Sequence, residues 1–219
     1  MRNWAAITLV FWGGFIIMVL EIVGARYLAK DFGGAFYVWI SQIGVILIAL
    51  AAGYFVGGAL ADRFRRASFL AALLLPAGLF TCLIPDFAGP VIDAIIMRHP
   101  LGQPIPRIWQ KLDPAIGSAL IFLLPCFVLA TLSPYMTRFA ATQLSQVGRV
   151  SGLVSAASTV GSIAGVFVSG YILIDTMRLT KIFRVAGAMT IALGLLCFFL
   201  DRCRGSGQNA PDGTRKGNA

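Results

Sequence analysis

An all-α integral membrane fold of six transmembrane helices is what this sequence predicts, and three observations predict it. Apolar residues make up 58% of the chain and charged ones only 12%, about half the charged share of ordinary soluble domains. Separate segments stay apolar for the roughly 20 residues that a helix rising 1.5 Å per residue needs to cross a bilayer. Short polar or basic turns divide most of these segments from one another.

The first segment, residues 4 to 29, carries only Glu21 and Arg26 as charges. It runs well beyond the short apolar core of a cleavable signal peptide and is expected to be a retained helix. After Lys30-Asp31-Phe32-Gly33-Gly34 comes the second span, 37 to 61, and after a basic turn the third, 67 to 86. The fourth, 116 to 138, contains Pro125 and Pro134, each of which removes a backbone donor and predicts a kink. The fifth, 150 to 174, is the most polar, and the turn Asp175-Thr176-Met177-Arg178 leads to the sixth, 181 to 200. A long extracytoplasmic loop is expected over 87 to 115, because Pro90, Pro100, Pro104, Pro106 and Pro114 oppose a continuous helix through its centre. Within it, Val91 to Met97 reads as a brief amphipathic turn, and Ile108-Trp109 with Lys111 as an anchor at headgroup depth. Residues 1–200 thus form one membrane domain, and 201–219, polar and without periodicity, read as a disordered cytoplasmic tail.

The formal charge of +9, from 18 basic and 9 acidic residues, is accounted for by basic residues flanking spans at anionic headgroups. With no basic stripe interleaved with aromatics, no nucleic-acid partner is expected. Cys82, Cys126, Cys197 and Cys203 lack metal or redox spacing, and His99 stands alone in a Pro-rich stretch, so neither metal nor cofactor is expected. No nucleophile triad or paired carboxylate is available, and the chain by itself is not read as an enzyme.

Orientation follows from the basic residues near span ends. The side of the turn at 62–66 holds Arg2, Arg63, Arg65, Arg66, Arg138, Arg149, Arg202, Arg204, Arg215 and Lys216, ten of the 18 cations. That predicts a multi-pass protein of a bacterial-type inner membrane with both termini cytoplasmic.

Among residues that could carry chemistry, Glu21 is the only glutamate and lies deep in the first span. Intramembrane acids are costly and default to a functional hypothesis: either a cation site facing a cavity or a structural interhelical hydrogen bond. Arg26, about 140° around the helix from Glu21, is placed to snorkel or to reach an anionic group. Gln42 and Tyr54 on the second helix are substrate-binding candidates if they share a cavity with Glu21. Gly53 and Gly57, and in the fifth span Gly161, Gly165 and Ser169, have the small-residue spacing that lets helices approach closely.

Gly58-Ala59-Leu60-Ala61-Asp62-Arg63-Phe64-Arg65-Arg66 resembles the loop between the second and third helices of the major facilitator superfamily, G-x-L-A-D-R-x-G-R-R, without its second glycine. The resemblance implies a half-facilitator fold and casts Asp62, Arg63, Arg65 and Arg66 as gating residues. Leu20-Glu21-Ile22-Val23-Gly24-Ala25-Arg26, Tyr37-Val38-Trp39, Gly53-Tyr54-Phe55-Val56-Gly57-Gly58 and Ser158-Thr159-Val160-Gly161-Ser162-Ile163-Ala164-Gly165 together resemble the membrane domain of fused facilitator-like, spermidine-synthase-like proteins. In those proteins a soluble catalytic domain accompanies the helices. This resemblance implies that any aminopropyltransferase-type activity would come from a separate subunit.

The expected function is that of a membrane module embedded in the lipid bilayer and acting by assembly, as a homo-oligomer or in a hetero-complex with a membrane or synthase-like subunit. It would transport or present a small cationic substrate such as a polyamine. The alternative is a structural or accessory subunit of a larger membrane complex, or an anchor for a separate synthase-like enzyme.

Overall fold

The computed structural model describes residues 2–33, 36–64, 67–100, 105–141 and 147–208. Six helices fill these stretches: α1 (Arg2–Phe32), α2 (Phe36–Arg63), α3 (Ala67–Met97), α4 (Arg107–Ala140), α5 (Val147–Thr176) and α6 (Leu179–Gln208). Each is long and apolar enough to cross a bilayer, and no strand occurs among the described residues. The chain is a multi-pass, all-helical membrane protein. In such a medium the helix is the open-ended choice that satisfies every backbone group within its own segment.

Three close helix pairs build the bundle: α1 with α5, α2 with α4, and α3 with α6. α1 is central and also touches α2, α4 and α6, burying Leu9, Ile16, Leu20, Val23 and Leu28. Exchanging α1 with α4, α2 with α5 and α3 with α6 leaves this pairing unchanged. Helices three apart in sequence run in opposite directions, so this pairing has the symmetry that an inverted repeat of two three-helix halves would have.

Small residues set the closest approaches, because apolar surface gains nothing by leaving one oily environment for another. A Cβ on Gly165 would lie 2.5 Å from the Phe15 carbonyl oxygen, and one on Gly161 would overlap the Phe11 carbonyl, so this ridge of α5 packs on α1. Ser169, next on the ridge, is buried and donates its hydroxyl to the Gly165 carbonyl at 2.6 Å. On α2, Cβ atoms at Gly53 and Gly57 would meet Ala130 at 2.6 Å and the Thr131 Cα at 2.7 Å, which identifies α4 as their partner. A third crossing escaped the sequence reading: Gly78 and Gly187 hold α3 against α6, each within 3 Å, by its would-be Cβ, of the other's carbonyl oxygen (2.9 and 2.7 Å).

The two prolines of α4 act as expected. Ahead of Pro125, which has no N–H for the carbonyl one turn back, residues Ala119–Leu123 widen into a π turn. Ahead of Pro134 the helix breaks at Thr131, whose N–H turns to the Val128 carbonyl at 3.2 Å and whose hydroxyl donates to the same oxygen at 2.7 Å.

Two expected boundaries move. The long loop over 87 to 115 shrinks from both ends, because α3 continues to Met97 and α4 begins at Arg107. Pro76, Pro85 and Pro90 lie inside α3 and Pro114 inside α4; within a membrane bundle, leaving the helix would free more backbone groups than one proline does. Val91 to Met97 is therefore the last part of α3, with Ile92 and Ile95 buried in the bundle, rather than a separate interfacial turn. Likewise α6 runs on to Gln208, seven residues past the expected start of the tail at 201, and residues 209–219 lie outside those described. Ser68 donates to the Asp201 carboxylate at 2.6 Å, tying that extension of α6 to the start of α3.

A hydroxyl-lined cleft as the candidate functional site

At the end of the bundle that carries Asp62, α2, α4 and α5 splay around a cleft of about 540 Å³. α2 contributes Tyr54, Gly58 and Asp62, α4 contributes Ser133, Pro134, Thr137 and Arg138, and α5 contributes Ser151, Ser155, Ser158 and Thr159. Thr137 and Thr159 turn their hydroxyls onto their own helices, to Ser133 and Ser155 carbonyls at 3.0 Å each. The hydroxyls of Tyr54, Ser133, Ser151, Ser155 and Ser158 have no hydrogen-bond partner among the described residues. From sequence the fifth span is only the most polar of the six, and Ser133 of α4 is not singled out. The dense hydroxyl pattern on α5, the least buried of the six spans, was the signal that could have located the cleft.

The cleft narrows inward to a pinch where Tyr54, Ser133 and Ser158 meet Gly13, Gly14 and Ile17 of α1. Gly14 makes the pinch possible: a Cβ there would crowd Ser158 and lie 2.9 Å from the Ser162 hydroxyl. Glu21 lies seven residues beyond Gly14, about 20° short of two full turns, and so projects from the same side of α1. It is half-buried and has no hydrogen bond or ion pair among the described residues. Glu21 and the inner end of the cleft therefore lie on the same side of α1, about two turns apart.

The four substrate-binding candidates do not converge. Tyr54 is exposed in the cleft. Gln42 is fully buried, accepting from the Ser118 hydroxyl at 2.6 Å and donating its amide to the Leu20 carbonyl at 3.4 Å; it knits α1, α2 and α4 together and is closed to a ligand. Arg26 is exposed, without an ion pair to Glu21. Glu21 is half-buried and outside the lining of the cleft that holds Tyr54.

The junction after α2 is clamped by α4. Arg138 Nε donates to Asp62 Oδ1 at 3.1 Å, and the Tyr135 hydroxyl donates to the Phe64 carbonyl. Phe64 stacks on Phe69 at 4.4 Å, and the Arg63 guanidinium lies over the Phe64 ring at 5.6 Å. Arg65 and Arg66 lie outside the described residues.

The opposite end holds a second polar cluster. Asp113, buried in the second turn of α4, accepts from Arg98 on one oxygen and contacts His99 Nε2 at 2.7 Å on the other. The Arg98 guanidinium also lies 4.2 Å from the centre of the Trp109 ring. These groups bind the end of α3 to the start of α4. Among the described residues no three His, Cys, Asp or Glu side chains gather as metal ligands would.

Neither family models nor curated proteins nor solved structures returned a significant match to this chain.

Proposed function

We propose that this protein is a facilitator-like six-helix module that handles a small cationic, hydrogen-bonding substrate such as a polyamine. In this reading it works by pairing its cleft side with a second module or another membrane subunit. The observation that carries the proposal is the cleft: hydroxyls without partners among the described residues line it, and the unpaired Glu21 carboxylate lies on the side of α1 that bounds its inner end. Lipid tails offer hydroxyls and carboxylates no hydrogen bonds, so the cleft needs protein, water or a polar ligand against it. The symmetry of the three-plus-three pairing supports the facilitator-like reading, because such internal symmetry recurs in transporter halves. Glu21 would act as counter-charge to an ammonium group and the cleft hydroxyls would accept from its remaining N–H donors. The Asp62 and Arg138 pair, at the cleft mouth, would open and close with the substrate path. On the same reading the Asp62 end faces the cytoplasm of a bacterial-type inner membrane.

Uptake of a radiolabelled polyamine into proteoliposomes tests the proposal. Wild-type protein should accumulate it and Glu21→Gln should lose most of that uptake while keeping its thermal unfolding midpoint. Absence of wild-type uptake overturns transport. The second reading, a scaffold or anchor for a synthase-like subunit, rests on the same cleft. Its signature is a stoichiometric second polypeptide in the particle mass measured after gentle-detergent purification.

A further inference from the structure

On the side of the bundle away from the cleft, an apolar slot of about 200 Å³ opens between α1, α6 and the end of α5. Trp12 and Val19 of α1 face Ile182, Val185 and Met189 of α6, and Met177 closes the upper end. α1 and α6 are antiparallel, so Val19 lies toward Ile182 and Trp12 toward Met189. The seven residues from Ile182 to Met189 span about 10 Å along the membrane normal. Almost no polar surface lines it. Trp12 and Val185 are partly exposed, so the slot opens sideways toward the acyl chains of the bilayer.

Charge at its mouth is cationic. Arg178 caps the start of α6, its carbonyl accepting from the amides of Lys181 and Ile182 at 2.9 and 3.2 Å. It therefore stands at the head of the helical stripe that continues through Ile182, Val185 and Met189. Arg178 and Lys181 are both exposed and form no ion pair among the described residues. Asp175, on the last turn of α5, is the acidic side chain nearest in sequence and pairs with neither; Arg184, one turn further down α6, is engaged by Asp86 at 3.5 Å. The first two amides of α6, at Leu179 and Thr180, have no helical carbonyl ahead of them to accept.

We propose that this slot is a binding site for an anionic phospholipid of the surrounding bilayer. One acyl chain lies along Trp12 and Val185, and the phosphate is held by Arg178 and Lys181. Size and lining suit a hydrocarbon chain, and the free cations at headgroup depth select the charge of the head.

The test uses the full chain with Trp4→Phe, Trp39→Phe and Trp109→Phe, leaving Trp12 as the single tryptophan. It is reconstituted in phosphatidylcholine vesicles containing a small fraction of brominated-chain phosphatidylglycerol or brominated-chain phosphatidylcholine. The site predicts that brominated phosphatidylglycerol quenches Trp12 at about thirtyfold lower mole fraction than the neutral lipid, given two cations at the surface. Arg178→Gln with Lys181→Gln should abolish that difference without changing quenching by the neutral lipid. Val185→Phe, which fills the slot but keeps both cations, should also reduce quenching by the anionic lipid to the neutral level. Equal quenching by the two lipids in the parent protein, or a preference that survives both variants, overturns the proposal.

Discussion

Gly165 approaches the Phe15 carbonyl so closely that a methyl group at its Cα would sit 2.5 Å from that oxygen. The contact marks the tightest seam of the fold, where α5 lies directly on α1, and Gly161 repeats it one turn earlier against Phe11. In a bilayer, close backbone contact of this kind replaces the hydrophobic drive that holds soluble bundles together.

Gly165→Val is therefore expected to lower stability by about 1–3 kcal/mol, the usual range for overpacking a filled interior. Gly170→Ala is the matched control, because a Cβ there meets nothing within 4 Å. Thermal unfolding in detergent should show a clear drop for the first and none attributable to packing for the second. Equal midpoints would mean that α1 and α5 are held by something other than this ridge.

The buried bridge from Ser118 to Gln42 predicts a non-additive pair. Ser118→Ala removes the hydroxyl that donates to Gln42 at 2.6 Å and leaves a buried amide oxygen unsatisfied, at about 1–3 kcal/mol. Adding Gln42→Leu removes the stranded group as well, so the double variant should regain part of what the single variant lost. A double-mutant cycle by denaturation reads this directly, and strict additivity would exclude the bridge.

Asp62 and Arg138 should behave differently, because both side chains are largely exposed, at 73% and 48%. Their coupling is expected to be about 0.2–1 kcal/mol and to fall with added salt. Asp62→Asn should consequently leave the unfolding midpoint nearly unchanged. If the pair gates the cleft, the same variant should alter polyamine uptake far more than stability.

At the other end, Asp113→Asn removes the charge that faces both Arg98 and His99. Charge-assisted hydrogen bonds of this kind contribute about 1.5–3 kcal/mol, and Asp113 is buried. The variant should unfold earlier, and the segment between α3 and α4 should be cleaved faster in limited proteolysis. Unchanged cleavage would show that the cluster does not hold that connection.

Much of this architecture was legible along the chain. The six spans announced themselves by composition, and Pro125 and Pro134 marked the two irregular places in α4, because a missing donor acts locally. The glycine ridges on α2 and α5 were visible from spacing, although the helix each one meets was not. Helix ends were misjudged at Pro90, Pro114 and Asp201, where proline and charge ordinarily stop helices in water but neighbouring helices here extend them. Gln42 and Tyr54 looked equivalent on paper, one polar group near each end of the same helix. Their separation into a buried bridge and a cleft wall depends on α4, brought alongside from some 75 residues away. Gly78 with Gly187 was invisible for the same reason, whereas Asp113 and His99, only 14 residues apart, meet because the end of α3 and the start of α4 come together.

By itself, then, the sequence determined that the chain is a six-span membrane protein and which surfaces of each helix carry small or polar groups. Those properties are summed over neighbouring residues. Only the tertiary structure decided which small-residue surfaces pair, that hydroxyls from α2, α4 and α5 line one cleft, and that Asp62 meets Arg138. Pairing between distant helices in lipid is set by shape and by a few hydrogen bonds, and neither has a signature in residue order alone.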